Sequence, residues 1–222
     1  MNKSSSVIFN LQGGYLEIPP KINSLIANKK GIIFDMDGTL IDMEEANYKM
    51  YKETVREMYG LNVSLSDWRK TFSGRRPQDS VLDFLKSKGV NKKFNFKKFK
   101  QIAGPIKRNI VFFELDKYAK MLPKASEFLK YLTRDKKRKL VLATSTTAFF
   151  VKSILTQFKI DKYFDLILTG ESVSRGKPDP EIYLKALLAL NLSASECLVF
   201  EDSESGIKAV LAAGIECIKV VN

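Results

Sequence analysis

Five short apolar runs, four of them closing on an acid or a threonine, constrain this chain of 222 residues more than any other feature. They span 31–35, 139–144, 164–169, 197–201 and 215–220. Runs of that length, rich in β-branched residues, read as strands buried on both faces. Helical patterns separate the last four. Residues 147–158 form the first, and 180–190 the second, with Asp179 as N-cap and Pro180 at the first helical position. Residues 204–213 form the third, closed by Gly214. Strand and helix in alternation specify an α/β fold, a parallel five-stranded sheet covered by helices. About a hundred residues intervene between the first and second strands, whereas a crossover needs only a dozen or so. Within them, 45–59, 77–88 and a stretch between Pro105 and Lys120 read as helix, so the surplus is expected to be a second, helical domain inserted after strand one. The expected division is 1–43 with 123–222 for the sheet domain and 44–122 for the insertion. The first thirty residues, with Gly13-Gly14 and Pro19-Pro20, read as an extension without an assigned role.

Composition narrows the chemistry. The chain has no histidine, which removes the Ser-His-Asp triad, the Cys-His pair, the imidazole base and the usual His-containing zinc site. Catalysis must then run on carboxylates, lysine and hydroxyls, with or without a hard metal. Cys197 and Cys217 lie in apolar stretches, as reduced, buried thiols of a cytoplasmic protein would. No apolar stretch reaches the length of a membrane span and residues 1–6 open no apolar leader, so neither a span nor a secretory signal is expected.

The formal charge is +12, and residues 48–122 carry +11 of it. From Phe84 to Phe113 there is no acid, while Lys86, Lys88, Lys92, Lys93, Lys97, Lys98, Lys100, Lys107 and Arg108 accumulate around Phe94, Phe96 and Phe99. A solvated amphipathic surface with the phenylalanines turned to a core is the first reading. A basic lid for phosphorylated substrates comes second, and nucleic acid last.

All strands of a parallel sheet end on one edge, so residues that follow different strands meet in space. Asp35-Met36-Asp37-Gly38-Thr39 follows the first strand, Thr144-Ser145 the second, and Glu201-Asp202 the fourth. Acids gathered in this way repel one another unless a divalent cation joins them, and an oxygen-only donor set favours Mg²⁺. Asp35 and Asp37 lie two residues apart, so one carboxylate can attack phosphorus while its neighbour gives and later takes a proton. Lys177, in Arg175-Gly176-Lys177-Pro178-Asp179-Pro180, can neutralise Asp35 and a transferring phosphoryl group. Thr144 and Ser145 offer hydroxyl and backbone N–H groups to phosphate where a helix begins. Each motif alone also reads as a turn, a loop lysine or an N-cap; together they are specific.

The text IIFDMDGTLID (32–42), LVLATS (140–145), GKPDPEIY (176–183) and LVFEDSESGIKAVLAAG (198–214) resembles the haloacid dehalogenase superfamily, and within it the branch holding β-phosphoglucomutase and small sugar and nucleotide phosphatases. The resemblance covers about 31–220 and implies a Rossmann-like core with a helical-bundle cap. It implies Asp35 as nucleophile, Asp37 as acid/base, Thr144 and Lys177 on the phosphoryl group, and Mg²⁺ held by Asp35, the Asp37 carbonyl and Asp202, with Glu201 near the metal or its waters. The expected partner is a small phosphorylated metabolite, without a membrane partner and in preference to nucleic acid; a monomer is compatible with this. Halide release is not supported, because its enzymes do not need the second aspartate and the metal acids. Mutase activity is weakened, since Asn47 stands where the mutase has a histidine and Pro77 where it has a cap-loop arginine. Neighbouring Arg75 and Arg76 could serve a phosphate or simply face solvent. Lys124 stands where relatives often have glycine, which concerns a turn. The leading expectation is a Mg²⁺-dependent phosphatase for a sugar, polyol or nucleoside monophosphate. A β-phosphoglucomutase-like isomerase and a non-catalytic nucleic-acid-binding relative are the alternatives.

Overall fold

The structure, a computed structural model, describes residues 20–73, 75 and 77–221. In chain order it forms α1 (Pro20–Ala27), β1 (Gly31–Phe34), β2 (Ile41–Asp42), α2 (Glu44–Tyr59), a short α3 (Leu65–Asp67) running into a π-helical turn (Trp68–Phe72), α4 (Pro77–Ser87), α5 (Phe96–Phe113) and α6 (Leu115–Tyr118). There follow β3 (Lys120–Met121), α7 (Ala125–Leu132), β4 (Lys139–Ala143), α8 (Ala148–Gln157), β5 (Leu166–Leu168), α9 (Glu181–Leu190), β6 (Cys197–Glu201), α10 (Glu204–Ala212) and β7 (Glu216–Lys219). The chain divides into two compact units that part between Asp42 and Met43 and between Ala119 and Lys120. The second border falls before residues 120–122, because Lys120 and Met121 pair antiparallel with Asp42 and Ile41 and so belong with the sheet unit.

The sheet unit is an α/β layer structure. Its strands run parallel in the order β5-β4-β1-β6-β7, with Phe34 level with Leu142 on one side and Phe200 on the other. Successive side chains of a strand face opposite layers. Ile33, Val141 and Val199 join Ile182, Tyr183 and Ala186 of α9 and Ala209 and Val210 of α10 in one buried cluster. Phe34 turns the other way, where its ring stacks on Phe200 at 4.9 Å and meets Phe128 of α7 edge-on at 6.0 Å. Gly31 leaves room for the neighbouring strand, since a Cβ there would approach Cys197 Sγ to 2.7 Å.

Two expectations change here. Residues 20–30 are part of the core: Ile22 and Ile26, one helical turn apart on α1, are 0% and 1% exposed, and Arg138 and Tyr131 bond to Ile26 O and Asn23 Oδ1. The rest of the N-terminal extension lies outside the described residues. The second helix begins at Glu181 rather than Pro180, although Asp179 Oδ1 accepts from the Glu181 N–H at 3.0 Å as a capping group would. Lys124 adopts φ 62° before α7, a left-handed conformation that costs a side chain on the order of 1 kcal/mol.

The helical unit has its own core. The rings of Trp68, Phe72 and Phe99 each lie 5.4 Å from Tyr51, and Phe84 lies 5.2 Å from Phe72. The third helix expected there is α5, which contains Pro105 in its interior instead of starting after it. The missing N–H is tolerated because Pro105 and Gln101 are both exposed, so water can serve the carbonyl that loses its donor, while Phe99, Ala103, Ile110 and Val111 are buried along the other face. Of the three phenylalanines expected to face a core, only Phe99 is buried; Phe94 is half-buried and Phe96 exposed.

Candidate active site

The order of strands places the β4–β5 half of the sheet on one side of β1 and the β6–β7 half on the other. Ligands of such sheets collect outside the strand ends where the two halves part. Asp35, Thr144 and Asp202 each directly follow one of the three central strands. The ladder continues through the first two: the Asp35 N–H donates to Phe200 O and the Thr144 N–H to Leu168 O, both at 3.0 Å.

Beyond Asp35 the chain folds back at once. Met36 O accepts from the N–H groups of Leu40 and Ile41 at 3.0 and 3.1 Å, and the Gly38 N–H donates to Ile41 O at 2.8 Å. Gly38 is required here twice. Its φ is +83°, and a Cβ would run into the Asp202 carboxylate. Thr39 Oγ1 donates to Asp202 Oδ1 at 3.2 Å, so the turn after β1 also positions the acid after β6.

Lys177 joins these elements from a separate loop. Its Nζ lies 2.7 Å from Asp35 Oδ1, 2.7 Å from Glu201 Oε2 and 3.1 Å from Ala143 O, which uses its three donors. The loop is braced by Glu181, whose carboxylate accepts from the Ser174 N–H at 3.0 Å and the Arg175 N–H at 2.9 Å. These bonds, led by that to Ser174 and reinforced by Lys185, hold Glu181 down to about 2.

Glu201 is wholly buried. Its Oε2 accepts from Lys177 and, at 2.8 Å, from the Tyr183 hydroxyl; its Oε1 accepts from Ser203 Oγ at 2.9 Å and from the Ser203 and Asp202 N–H groups. Both oxygens are thus committed to protein donors. Glu201 anchors Lys177 on one side and the loop carrying Asp202 on the other. A Cβ on Gly206 would strike this carboxylate, so the first turn of α10 needs a glycine to approach it.

Burial raises Asp35 well above the usual carboxylate range, and Glu201 and Asp202 push it further against the pull of Lys177. Asp202 rises to about 7, first through burial and then through Glu201. Burial also works against Glu201, but Lys177 and the hydrogen bonds outweigh it and keep that group ionised. Lys177 loses by burial as well, and Asp35, Tyr183 and Glu201 more than restore its charge. Burial and mutual repulsion thus work against the ionised forms of Asp35 and Asp202, and Lys177 offsets this only in part.

The residues fit a divalent cation. Asp35, Glu201 and Asp202 bring carboxylate oxygens within 4.8 Å of one another, all donors are oxygen, and the two acids that burial and repulsion destabilise are the two with oxygen atoms not taken by protein donors among the described residues. An oxygen-only set suits a hard divalent cation.

Thr144 is 1% exposed and its Oγ1 accepts from the Thr146 N–H at 3.1 Å, whereas Ser145 is exposed. Neither caps the next helix. That position is Thr147, and the free Ala148 N–H of α8 goes to Glu171 Oε2 at 2.9 Å. Thr146 was not singled out from the sequence, yet its hydroxyl donates to Asp37 Oδ2 at 2.9 Å. The available signal was the unbroken hydroxyl run from Thr144 to Thr147 at a strand end. Tyr183 also escaped notice, its motif position giving no hint that the hydroxyl points to Glu201. Arg75 lies in the helical unit, exposed, with its guanidinium on Asp83 Oδ2 at 2.6 Å and Thr71 O at 3.1 Å. Arg76 lies outside the described residues.

The model of the haloacid dehalogenase-like hydrolase family matches residues 32–220. The chain belongs to that family. Among haloacid dehalogenase-like relatives, a phosphorylated carbohydrates phosphatase of Thermotoga maritima is 36% identical over 189 residues, 85% of this chain and 83% of its own. A beta-phosphoglucomutase of Bacillus subtilis is 26% identical over 194 residues, 86% of this chain and 83% of its own. The crystal structure of a hydrolase of the same family from Entamoeba histolytica matches with a TM-score of 0.73 at 26% identity, covering 86% of this chain and 84% of that one.

Proposed function

We propose that the chain is a Mg²⁺-dependent phosphatase acting on a small organic phosphate monoester, a sugar, polyol or nucleoside monophosphate. The observation that carries this reading is the contact of Lys177 with Asp35 at 2.7 Å, at strand ends where a carboxylate oxygen of Asp202 lies within 4.8 Å of one of Asp35. A buried carboxylate beside a fixed ammonium and a candidate cation site is a nucleophile for phosphorus rather than a surface acid. The phosphatase name of the Thermotoga maritima relative supports the reaction and a phosphorylated carbohydrate as substrate.

In this reading one Asp35 oxygen attacks phosphorus, an Asp35 O–P bond forms and the P–O bond to the alcohol breaks. Asp37 gives its proton to the leaving oxygen. Water then attacks the same phosphorus, Asp37 takes a proton from it, and the Asp35 O–P bond breaks to release phosphate and the free carboxylate. Asp35, the Asp37 carbonyl and Asp202 would hold the cation, with Glu201 near it as their anchor. When bound, the cation neutralises the acids and the charge on the transferring group. Lys177 places a fixed positive charge at Asp35, and the Thr144 hydroxyl, which accepts one hydrogen bond, keeps its proton for a phosphate oxygen. These core groups read a phosphoryl group and a leaving oxygen and nothing of the organic remainder.

A metabolite-phosphate panel with Mg²⁺ tests this. Phosphate release from at least one member is expected, and none above an Asp35→Asn control would reject it. The Bacillus subtilis relative favours one second reading, an isomerase that returns the phosphoryl group to a sugar. That reading requires sugar phosphate isomerisation stimulated by a sugar bisphosphate, with little phosphate released.

A further inference from the structure

We infer that Thr146 is the positioning residue for Asp37: its hydroxyl fixes which carboxyl oxygen of Asp37 faces the leaving group. The inference rests on the reading of Asp37 as the acid/base of a phosphatase and extends it to a residue outside the motif text.

Thr146 is itself immobilised. It is 8% exposed, its N–H donates to Thr144 Oγ1 at 3.1 Å, and its carbonyl accepts from the Gly170 N–H at 3.0 Å. Gly170 can come that close because it has no Cβ; one would strike Ser145 O. The Asp37 backbone is fixed from the other side by its bridge to Ile41 and by the Gly38 to Ile41 hydrogen bond. What remains mobile in Asp37 is χ rotation, and the bond from Thr146 Oγ1 to Oδ2 at 2.9 Å arrests it.

The chemical consequence concerns the proton. With Oδ2 accepting from Thr146, the proton that Asp37 transfers resides on Oδ1, which accepts from no described residue and is free for the leaving oxygen. After transfer, the same bond holds the carboxylate in place to receive a proton from water at the same oxygen. A general acid is effective only within hydrogen-bond reach of its target, and holding it there avoids the loss that follows from a misplacement of about 1 Å. Oδ1 and Oδ2 are otherwise interchangeable by rotation. Thr146 makes them different.

A leaving-group series separates this role from a structural one. Protonation matters little for an acidic phenol and greatly for a weakly acidic one, while phenyl phosphates of one size bind alike. We expect Thr146→Val to change kcat for p-nitrophenyl phosphate by less than about threefold and to lower it for unsubstituted phenyl phosphate by about 30-fold, a part of the roughly 10²–10⁴-fold that a general acid contributes. Its dependence of log kcat on leaving-group acidity should steepen toward that of Asp37→Ala, and Thr146→Ser should restore the wild-type slope. Circular dichroism melting of Thr146→Val confirms that it folds; should it not, Thr146→Ala is read in the same series. An unchanged slope in a folded variant, or equal losses on both esters, would overturn the inference while leaving the phosphatase reading intact. If the wild type hydrolyses no ester above Asp35→Asn, the phosphatase reading falls and this inference with it.

Discussion

The two units of this chain handle charge in opposite ways. In the sheet unit Asp35, the Lys177 side chain, Glu201 and Tyr183 are buried and linked in one chain of hydrogen bonds at the ends of the central strands, with Asp202 half-buried beside them. In the helical unit, by contrast, Lys92, Lys93, Lys97, Lys98 and Lys100 all lie in solvent, and Arg75 is satisfied by its neighbour Asp83. Net charge alone pointed to the helical unit. Charge taken out of water and fixed in position points to the sheet unit, because desolvation is what makes an ion pair strong and a pKa move.

The sharpest way to break the comparison is to remove the buried cation. Lys177→Met leaves Glu201 and Asp35 without their ammonium, and loss of one partner of a buried pair costs about 3–5 kcal/mol. A loss of that size in unfolding free energy, from denaturant titration without Mg²⁺, is expected; a loss below about 1 kcal/mol would put the pair among ordinary surface bridges. Next in size is Tyr183→Phe, which deletes one donor to the ionised Glu201. It should lower stability by about 1.5–3 kcal/mol in the same titration, as hydrogen bonds to charged groups do.

Cation binding gives a third test. Asp202 is an acid raised in the fold to about 7, so its protonated form is favoured there. In the cation-free protein this contribution to stability is complete below the ordinary aspartate pKa and is lost as pH rises through about 7. A cation needs the ionised form, so apparent Mg²⁺ affinity by calorimetry should rise up to about tenfold per pH unit below 7 and level off above it. A flat profile would show that Asp202 is not a ligand. Smallest of all, replacing Lys97, Lys98 and Lys100 together by Gln should shift stability by less than about 0.5 kcal/mol, as surface changes do, and a loss beyond 1 kcal/mol in chemical denaturation would erase the contrast between the units.

Much of the sheet unit was legible in the sequence for one reason. A strand buried on both faces must be apolar throughout, so the acid that ends it stands out, and parallel topology gathers such endings. Asp35, Thr144, Glu201 and Asp202 could be found that way. The Thr146–Asp37 bond could not, because it joins residues 109 positions apart and depends on side-chain direction rather than pattern. Glu201 was legible as an acid near a metal but not as an anchor with both oxygens engaged. α1 was missed because two isoleucines one turn apart in a short segment give little periodicity. Pro105 was misplaced as a helix boundary, since the exposed face that tolerates it is a product of packing. The lysine-rich surface read correctly as solvated, while the exposure of Phe96 did not follow from its spacing.

The central claim is that Asp35 attacks phosphorus in a cation-assisted site. Release of inorganic phosphate from p-nitrophenyl phosphate, followed with Mg²⁺ and with EDTA for the wild type and Asp35→Asn, tests it most directly. The account predicts turnover that needs Mg²⁺ and falls by at least about 10³-fold in Asp35→Asn. Turnover that survives either EDTA or the loss of the Asp35 carboxylate would contradict it.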